Sequence, residues 1–298
     1  MKHRDLDHVT AIGVDEIQFQ KGHRYLTLVY QIESSCRRLL WIGQDRTAKT
    51  FLRFFRMMGK PRTAAIQFVC SDMWQPYLRV IRKKIPEAIH ILDRFHIVAR
   101  LNKAVDEVRA VEAKELACDG YEPVLKHSRW CLLKRPENLT EKQSTKLSEL
   151  MQYRLKSIRA YLLKDSFQIL WAYTSYHWAG VFLHGWIRRA MRSRLEPIKK
   201  VARSLRTHEE LILNWFAAKK EYSSGIVEGL NNKAKLTIRK AYGFRELKTA
   251  EIALYHALAK LPEPKHAHRF CCGGLYIIHL QTCPCRRSPT DSVEEAST

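Results

Sequence analysis

The chain has 298 residues, 46% of them hydrophobic, and a formal net charge of +22 at pH 7. That length allows one large domain or two smaller ones, each with a real core. A charge so positive is self-repelling unless a polyanion offsets it; nucleic acid is the natural partner, bound in a salt-dependent way, and the alternative is a basic surface kept for solubility. No apolar run approaches the roughly 20 residues that span a bilayer, and the charged segment Met1–Val9 carries no apolar signal; together these predict a cytoplasmic protein, associated with the nucleoid when bound to DNA.

In chain order, Val9 to Phe19 reads as a strand with Ala11, Gly13, Asp15 and Ile17 on one face and Ile12 and Val14 on the other. Gly22-His23 is a turn, and strands follow at Tyr25 to Glu33 and Arg38 to Gly43, divided by Ser34-Ser35. The three form an antiparallel meander. Thr47 caps a helix to about Met58, whose broad apolar face holds Phe51, Leu52, Phe54 and Phe55. A fourth strand is expected from Ala64 to Cys70, leading to Asp72. A helix runs from Gln75 to Lys84, stopped by Pro86, and a fifth strand from Ala88 to Leu92 delivers Asp93. The first hundred residues thus read β-β-β-α-β-α-β: an α/β fold, a mixed five-stranded sheet flanked by helices.

Residues 101–219 read as an all-helical insertion broken at Pro123, Pro136 and Pro197. Within it Thr140 and Gln143 have the spacing of a capping box. Trp171, Trp178 and Trp186 are expected in its core, with stacking on an unpaired base as the alternative. Ser223-Ser224-Gly225 is expected as a loop, and residues 220–262 hold the last helices, ended by Pro262 and Pro264. The tail, 263–298, is expected to be disordered. Its Cys271, Cys272, His279, Cys283 and Cys285 include no Cys-x-x-Cys pair, so zinc is not expected. Cys36, Cys70, Cys118 and Cys131 are scattered and expected to be reduced.

Three separated acidic clusters carry the chemistry: Gly13-Val14-Asp15-Glu16, Cys70-Ser71-Asp72-Met73-Trp74 and Val227-Glu228-Gly229-Leu230-Asn231-Asn232. Carboxylates gathered from separate elements are how proteins hold Mg²⁺, a hard ion that prefers oxygen, beside phosphate. Asp15 lies inside an apolar strand, where an unpaired carboxylate is costly; metal or a salt bridge would explain it. Asp72 lies at a strand end, as ligand or as turn residue. On a helical wheel Glu228, Asn231, Asn232, Lys235 and Arg239 share one face, opposite Val227, Leu230, Ala234 and Ile238. Lys235 and Arg239 on that face are placed to track a phosphate backbone; an ordinary solvated face is the alternative.

These motifs, in this order, resemble the catalytic part of the ISL-three family of bacterial insertion-sequence transposases, whose members carry a DDE site on an RNase H-like fold. The stretches that carry the resemblance, across residues 9–262, are Gly13-Val14-Asp15-Glu16 with Lys21 to Tyr25, Ser71-Asp72-Met73, Asp93-Arg94-Phe95-His96, Ser224 to Asn232, and Arg239-Lys240-Ala241-Tyr242-Gly243-Phe244-Arg245. The resemblance implies Asp15, Asp72 and Glu228 as a metal-binding triad for two Mg²⁺ ions, with Mn²⁺ as a substitute. It places Asp93 and His96, with Asn231 and Asn232, near the site, and Lys235, Arg239, Lys240 and Arg245 on DNA. It implies DNA cleavage and strand transfer, with element ends and target DNA as partners and at least a dimer on DNA. Full-length members place zinc-binding and helix-turn-helix modules ahead of this part, so a truncated start is expected, and read-through beyond His268-Arg269-Phe270. Two rivals remain at this point: a hydrolysis-only nuclease of the same fold, and a non-catalytic DNA-binding remnant.

Overall fold

The computed structural model describes residues 6–20, 24–121, 123–220, 222, 224–240, 244 and 246–261. Its frame is a five-stranded sheet of β1 (Ala11–Gln20), β2 (Arg24–Ile32), β3 (Arg37–Gln44), β4 (Phe68–Ser71) and β5 (Ile89–Leu92), in the order β3-β2-β1-β4-β5. The first three strands are antiparallel, while β4 runs parallel to β1 and β5 parallel to β4. This is the RNase H-like arrangement.

Each side of β1 is packed by a different layer, which is why its sequence is apolar on both faces. Ile12 and Val14 join Val29, Phe51, Phe54 and Tyr77 under α1 (Ala48–Ala64) and α2 (Gln75–Lys84). Ala11 and Ile17 join Tyr30, Ile32, Val227, Leu230 and Leu254 under α10 (Ser224–Lys240) and α11 (Leu247–Leu258). Thr47 caps α1 as its sequence predicts, its side chain accepting from Thr50 N at 3.0 Å. The helix does not stop near Met58. Gly59 breaks it at φ 78°, and Pro61, with φ already fixed for a first turn, restarts it to Ala64. That restart takes up Ala64, with Ala65 as its C-cap, and β4 begins only at Phe68.

Between β5 and α10 lie α3 (Arg94–Cys118), α4 (Arg129–Leu133), α5 (Glu141–Met151), α6 (Lys156–Phe167), α7 (Tyr176–Arg192), α8 (Glu196–Thr207) and α9 (Glu209–Ala217). They share an apolar core, with Leu101, Val105, Phe167, Leu183, Trp186 and Ile198 fully buried, that also takes in Met73, Leu78 and Leu92. The capping box at Thr140 and Gln143 is formed in both directions. Trp186 and Trp171 are buried, and Trp186 Nε1 donates to Leu163 O at 2.8 Å. Trp178 corrects the expectation: it sits in the first turn of α7 and is 60% exposed. Four cysteines, Cys36, Cys70, Cys118 and Cys131, are free. No described helix is long and apolar enough to cross a membrane. The tail cysteines lie outside the described residues.

One buried carboxylate ties the insertion together. Glu112 on α3 is 6% exposed and caps α6 from 44 residues away, accepting from Lys156 N at 2.6 Å and Ser157 N at 2.7 Å. Ser157 Oγ donates to it as well. Those amides belong to the first turn of α6, whose own N-cap position, Leu155, has no side-chain acceptor. Glu112→Leu leaves both amides without this partner, that of Ser157 in a buried place. The expected cost is about 2–3 kcal/mol, read as a lower urea midpoint; an unchanged midpoint would show that the cap is dispensable.

Candidate active site

Parallel pairing lines up three acids. Gly13 stands opposite Cys70, and Ser71 opposite Leu92. Two residues beyond Gly13, Asp15 comes level with Asp72, and Asp72 with Asp93. By strand alternation they extend the face on which Gly13, Cys70 and Ile91 meet the α10 layer.

Asp15 has no salt bridge among the described residues. Its Oδ1 accepts from Glu16 N at 2.8 Å, and its Oδ2 accepts from Asn231 Nδ2 at 2.5 Å. Asn231 is oriented in turn by Tyr30, whose hydroxyl donates to Asn231 Oδ1 at 2.6 Å. The relay is buried: Tyr30 is fully enclosed and Asn231 is 3% exposed. Burial raises the Asp15 carboxyl to about 6, with Asp72 and Asp93 adding repulsion; the Glu16 amide and His96 pull the other way. The Tyr30 hydroxyl is held well above its ordinary value by burial and by the Asp15 charge.

Glu16 takes the ion pair that the sequence left open for Asp15. Its Oε1 lies 2.8 Å from Arg46 Nη1, and Arg46 Nη2 reaches Asp72 Oδ2 at 3.2 Å. The guanidinium carbon is 4.5 Å from the centre of the Trp74 ring. Asp72 Oδ1 also accepts from Trp74 N at 3.0 Å. Even with Arg46, burial and the charges of Asp72 and Asp15 push Glu16 up to about 8. Its Oε2 is buried with no hydrogen-bond partner among the described residues. Arg46 and Tyr30 were not legible as site residues. One sits between a strand end and a cap threonine and the other inside an apolar strand, and neither position encodes its distant partner.

Asp93 has a structural duty. It caps α3, accepting from Phe95 N at 2.6 Å, while its other oxygen stands 3.7 Å from His96 Nε2. Glu228 lies on α10 one turn before Asn231, half-buried, and lines a cavity with Leu92, Arg94, Phe95, Arg135 and Trp215. Among the described residues no three His, Cys, Asp or Glu side chains are close enough together to share one cation. The structure therefore brings Asp15, Glu16, Asp72, Asp93 and His96 into one electrostatic cluster and places Glu228 at its flank.

Two expectations about α10 change. Ser224 and Gly225 belong to the helix rather than to a loop; burial of Val227 and Leu230 against the sheet carries the helix back over two weak helix formers. Asn231 is buried rather than solvated, because its wheel position flanks the apolar stripe. Asn232, Lys235, Arg239 and Lys240 are exposed along the outer face. Arg245 lies outside the described residues.

The family model for ISL3-type DDE transposases, described as Transposase, matches residues 12–254. The transposase for insertion sequence element IS1001 of Bordetella parapertussis is 32% identical over 244 residues, 81% of this chain and 59% of that protein. The transposase for insertion sequence element IS1557 of Mycobacterium tuberculosis is 32% identical over 260 residues, 80% of this chain and 57% of that protein. The chain thus spans somewhat under three-fifths of the curated relatives it matches. A family match over most of its length, on a sheet of this topology with acids aligned across β1 and the ends of β4 and β5, shows that the chain belongs to the ISL3 family of transposases.

Proposed function

We propose that this chain is the catalytic core of an insertion-sequence transposase that cleaves DNA strands and joins them to target DNA with divalent metal ions, Mg²⁺ in preference and Mn²⁺ as substitute. In this reading residues 1–100 and 220–262 form the core and 101–219 an insertion into it. Asp15, Asp72 and Glu228 would hold the ions, with Asp93 and His96 beside them. The carrying observation is the carboxylate cluster itself: Asp15, Asp72 and Asp93 lie close enough that mutual repulsion adds to burial in raising Asp15 to about 6. Such a cluster is short of positive charge, and its donors are hard oxygens, the set that Mg²⁺ takes. Ions held there would supply activation of the attacking oxygen, of water or of a 3′-hydroxyl, and neutralisation of the leaving oxygen.

The chain's own residues do the rest. Tyr30 holds Asn231, and Asn231 holds Asp15 by one oxygen. Arg46 fixes Asp72 and balances part of the charge of Glu16. Lys235, Arg239 and Lys240, exposed and free of salt bridges among the described residues, lie along one helix and give phosphates a track leading toward Glu228. Joining two element ends would need at least two copies on DNA. The test is incubation of the chain with end-labelled duplex DNA and Mg²⁺, with EDTA in parallel. The reading expects nicked and joined products that need the metal, and DNA affinity that falls steeply with salt. Nicked products without joining would favour the hydrolysis-only reading, and no metal-dependent product at all would overturn catalysis.

A further inference from the structure

Beside the carboxylate cluster lies a cavity of about 320 Å³ whose walls include Arg94, Phe95, Arg135, Trp215 and Glu228. That size is at the small end of ligand pockets, roughly 300–1,000 Å³. Two of its walls are guanidinium groups, and neither has a salt-bridge partner among the described residues. Arg94 is held below its ordinary value by burial and then by the charge of Arg135, against a smaller opposing pull from Asp93. Arg94 is also steadied over the Trp171 ring, 5.5 Å from its centre. Two arginines on the walls of one cavity, neither in a salt bridge among the described residues, supply planar donors for an oxyanion with several acceptor atoms and outnumber the one carboxylate of that lining, Glu228.

The other walls are aromatic. Phe95 is 53% exposed although large and apolar. Its backbone is fixed by the Asp93 cap, and its ring stands edge-on to His96 at 5.8 Å. Trp215 is propped by Trp171 at 5.4 Å and by Phe216 at 5.0 Å. An anion fork beside rigid π faces matches a phosphate joined to a flat heterocycle. Within a duplex the base is stacked and paired, so only a nucleotide turned out of the stack can present both parts at once.

We propose that this cavity is a single-nucleotide pocket: it takes one unstacked nucleotide of the DNA strand, its phosphate between Arg94 and Arg135 and its base against Phe95 and Trp215, next to Glu228. The assignment rests on the chain acting on DNA as proposed above. It makes the pocket a device that anchors a distorted strand beside the cleavage site and favours DNA that has an unpaired position.

The test uses the whole chain in EDTA and two end-labelled duplexes of the same sequence, one carrying a single extra, unpaired 2-aminopurine nucleotide. Affinities come from fluorescence anisotropy, and 2-aminopurine emission reports the state of the extra base. The bulged duplex should bind about tenfold more tightly, the scale of one base–aromatic stack. In Phe95→Ala and in Arg135→Ala the bulged-to-paired ratio should fall to about one, accompanied in Phe95→Ala by a change in emission. Both side chains are exposed, and unfolding midpoints equal to the parent chain's check that the variants fold. Equal affinity of the parent chain for the two duplexes, or a preference that survives both substitutions, would overturn the pocket. A free deoxynucleoside monophosphate that binds as tightly as the bulged duplex would overturn its assignment to a strand. Metal-dependent cleavage with no bulge preference would remove the pocket alone. A bulge preference lost in both variants, in a chain that never cleaves, would keep the pocket and remove the catalytic reading.

Discussion

Asp15→Asn is expected, on the proposed metal-dependent reaction, to lower strand cleavage by about 10³-fold or more, through the loss of several kcal/mol of transition-state stabilisation, and at the same time to make the metal-free protein more stable. The second effect follows from the direction of the pKa shift. The Asp15 carboxyl rises from 3.8 to about 6 because burial and the neighbouring acids disfavour its charge. Between those values the native state keeps a proton that the unfolded chain has released. Native stability from this group is therefore full below about pH 4, falls as pH rises toward 6, and stays low above it. An amide carries no charge to bury. At pH 7.5 in EDTA the substitution should raise stability by about 2–3 kcal/mol, an upper figure for a group still in part solvated, and at pH 4 the gain should vanish. A flip of the Asn231 amide lets its oxygen accept from the new amide and its nitrogen donate to the Tyr30 hydroxyl, at the loss of that hydroxyl's own acceptor. Glu228→Gln should match the loss of cleavage with little change in stability, since Glu228 is only half-buried. Thermal melts at the two pH values, paired with the cleavage assay, check both halves. Cleavage by Asp15→Asn at the parental rate would leave the non-catalytic reading standing, and a stability change independent of pH would refute the electrostatic origin of the strain.

This coupling of strain to chemistry explains which parts of the molecule were legible in one dimension. The alternation of Ala11, Gly13, Asp15 and Ile17 against Ile12 and Val14 survives intact, because each face of β1 packs on a different helical layer and a one-residue slip would exchange them. The capping box at Thr140 and Gln143, and the helix from Gln75 to Lys84, rest on chemistry complete within a few residues. The row of acids was visible as residues within or just after three strands, though not that Asp93 caps α3. What spacing could not encode is long-range. The Arg46 bridge between Glu16 and Asp72, the Tyr30–Asn231–Asp15 relay across 201 and 216 residues, and the remote cap from Glu112 all depend on contacts closed only by the fold. Local propensity was also overruled at Ser224-Gly225, where packing against the sheet outweighs two residues that disfavour a helix interior. Trp178 was misplaced because it sits in the first turn of its helix, with its ring in solvent.

Gly13→Ala should be strongly damaging, and it tests how Glu228 and Asn231 are held in place. Gly13 is not in the left-handed region of backbone space; what requires glycine there is room. A Cβ at position 13 would lie 2.4 Å from Val227 Cγ2 and 3.1 Å from Ile32 Cγ2. Val227 is β-branched and helical, so it has one strongly preferred rotamer and cannot turn aside. Relief must come from α10 moving off the sheet. That helix carries Asn231, which orients Asp15, and Glu228, so a displacement on the order of 1 Å would disturb both and lower cleavage by about 10²-fold. Alanine for glycine inside a strand ordinarily helps, since glycine weakens strands. The expected destabilisation of about 1–3 kcal/mol therefore has the opposite sign from propensity and reports the overpacking directly. Val227→Ala alone should cost stability through the space it leaves. In the double variant the new methyl group occupies part of that space, so the two changes should compensate, with a coupling of about 1–3 kcal/mol and partial recovery of cleavage. Urea midpoints of the four proteins, read beside their cleavage rates, decide the matter. Additive losses would mean that α10 is not seated on Gly13, whereas recovery in the double variant ties the position of the third acid to the absence of one methyl group in the first strand.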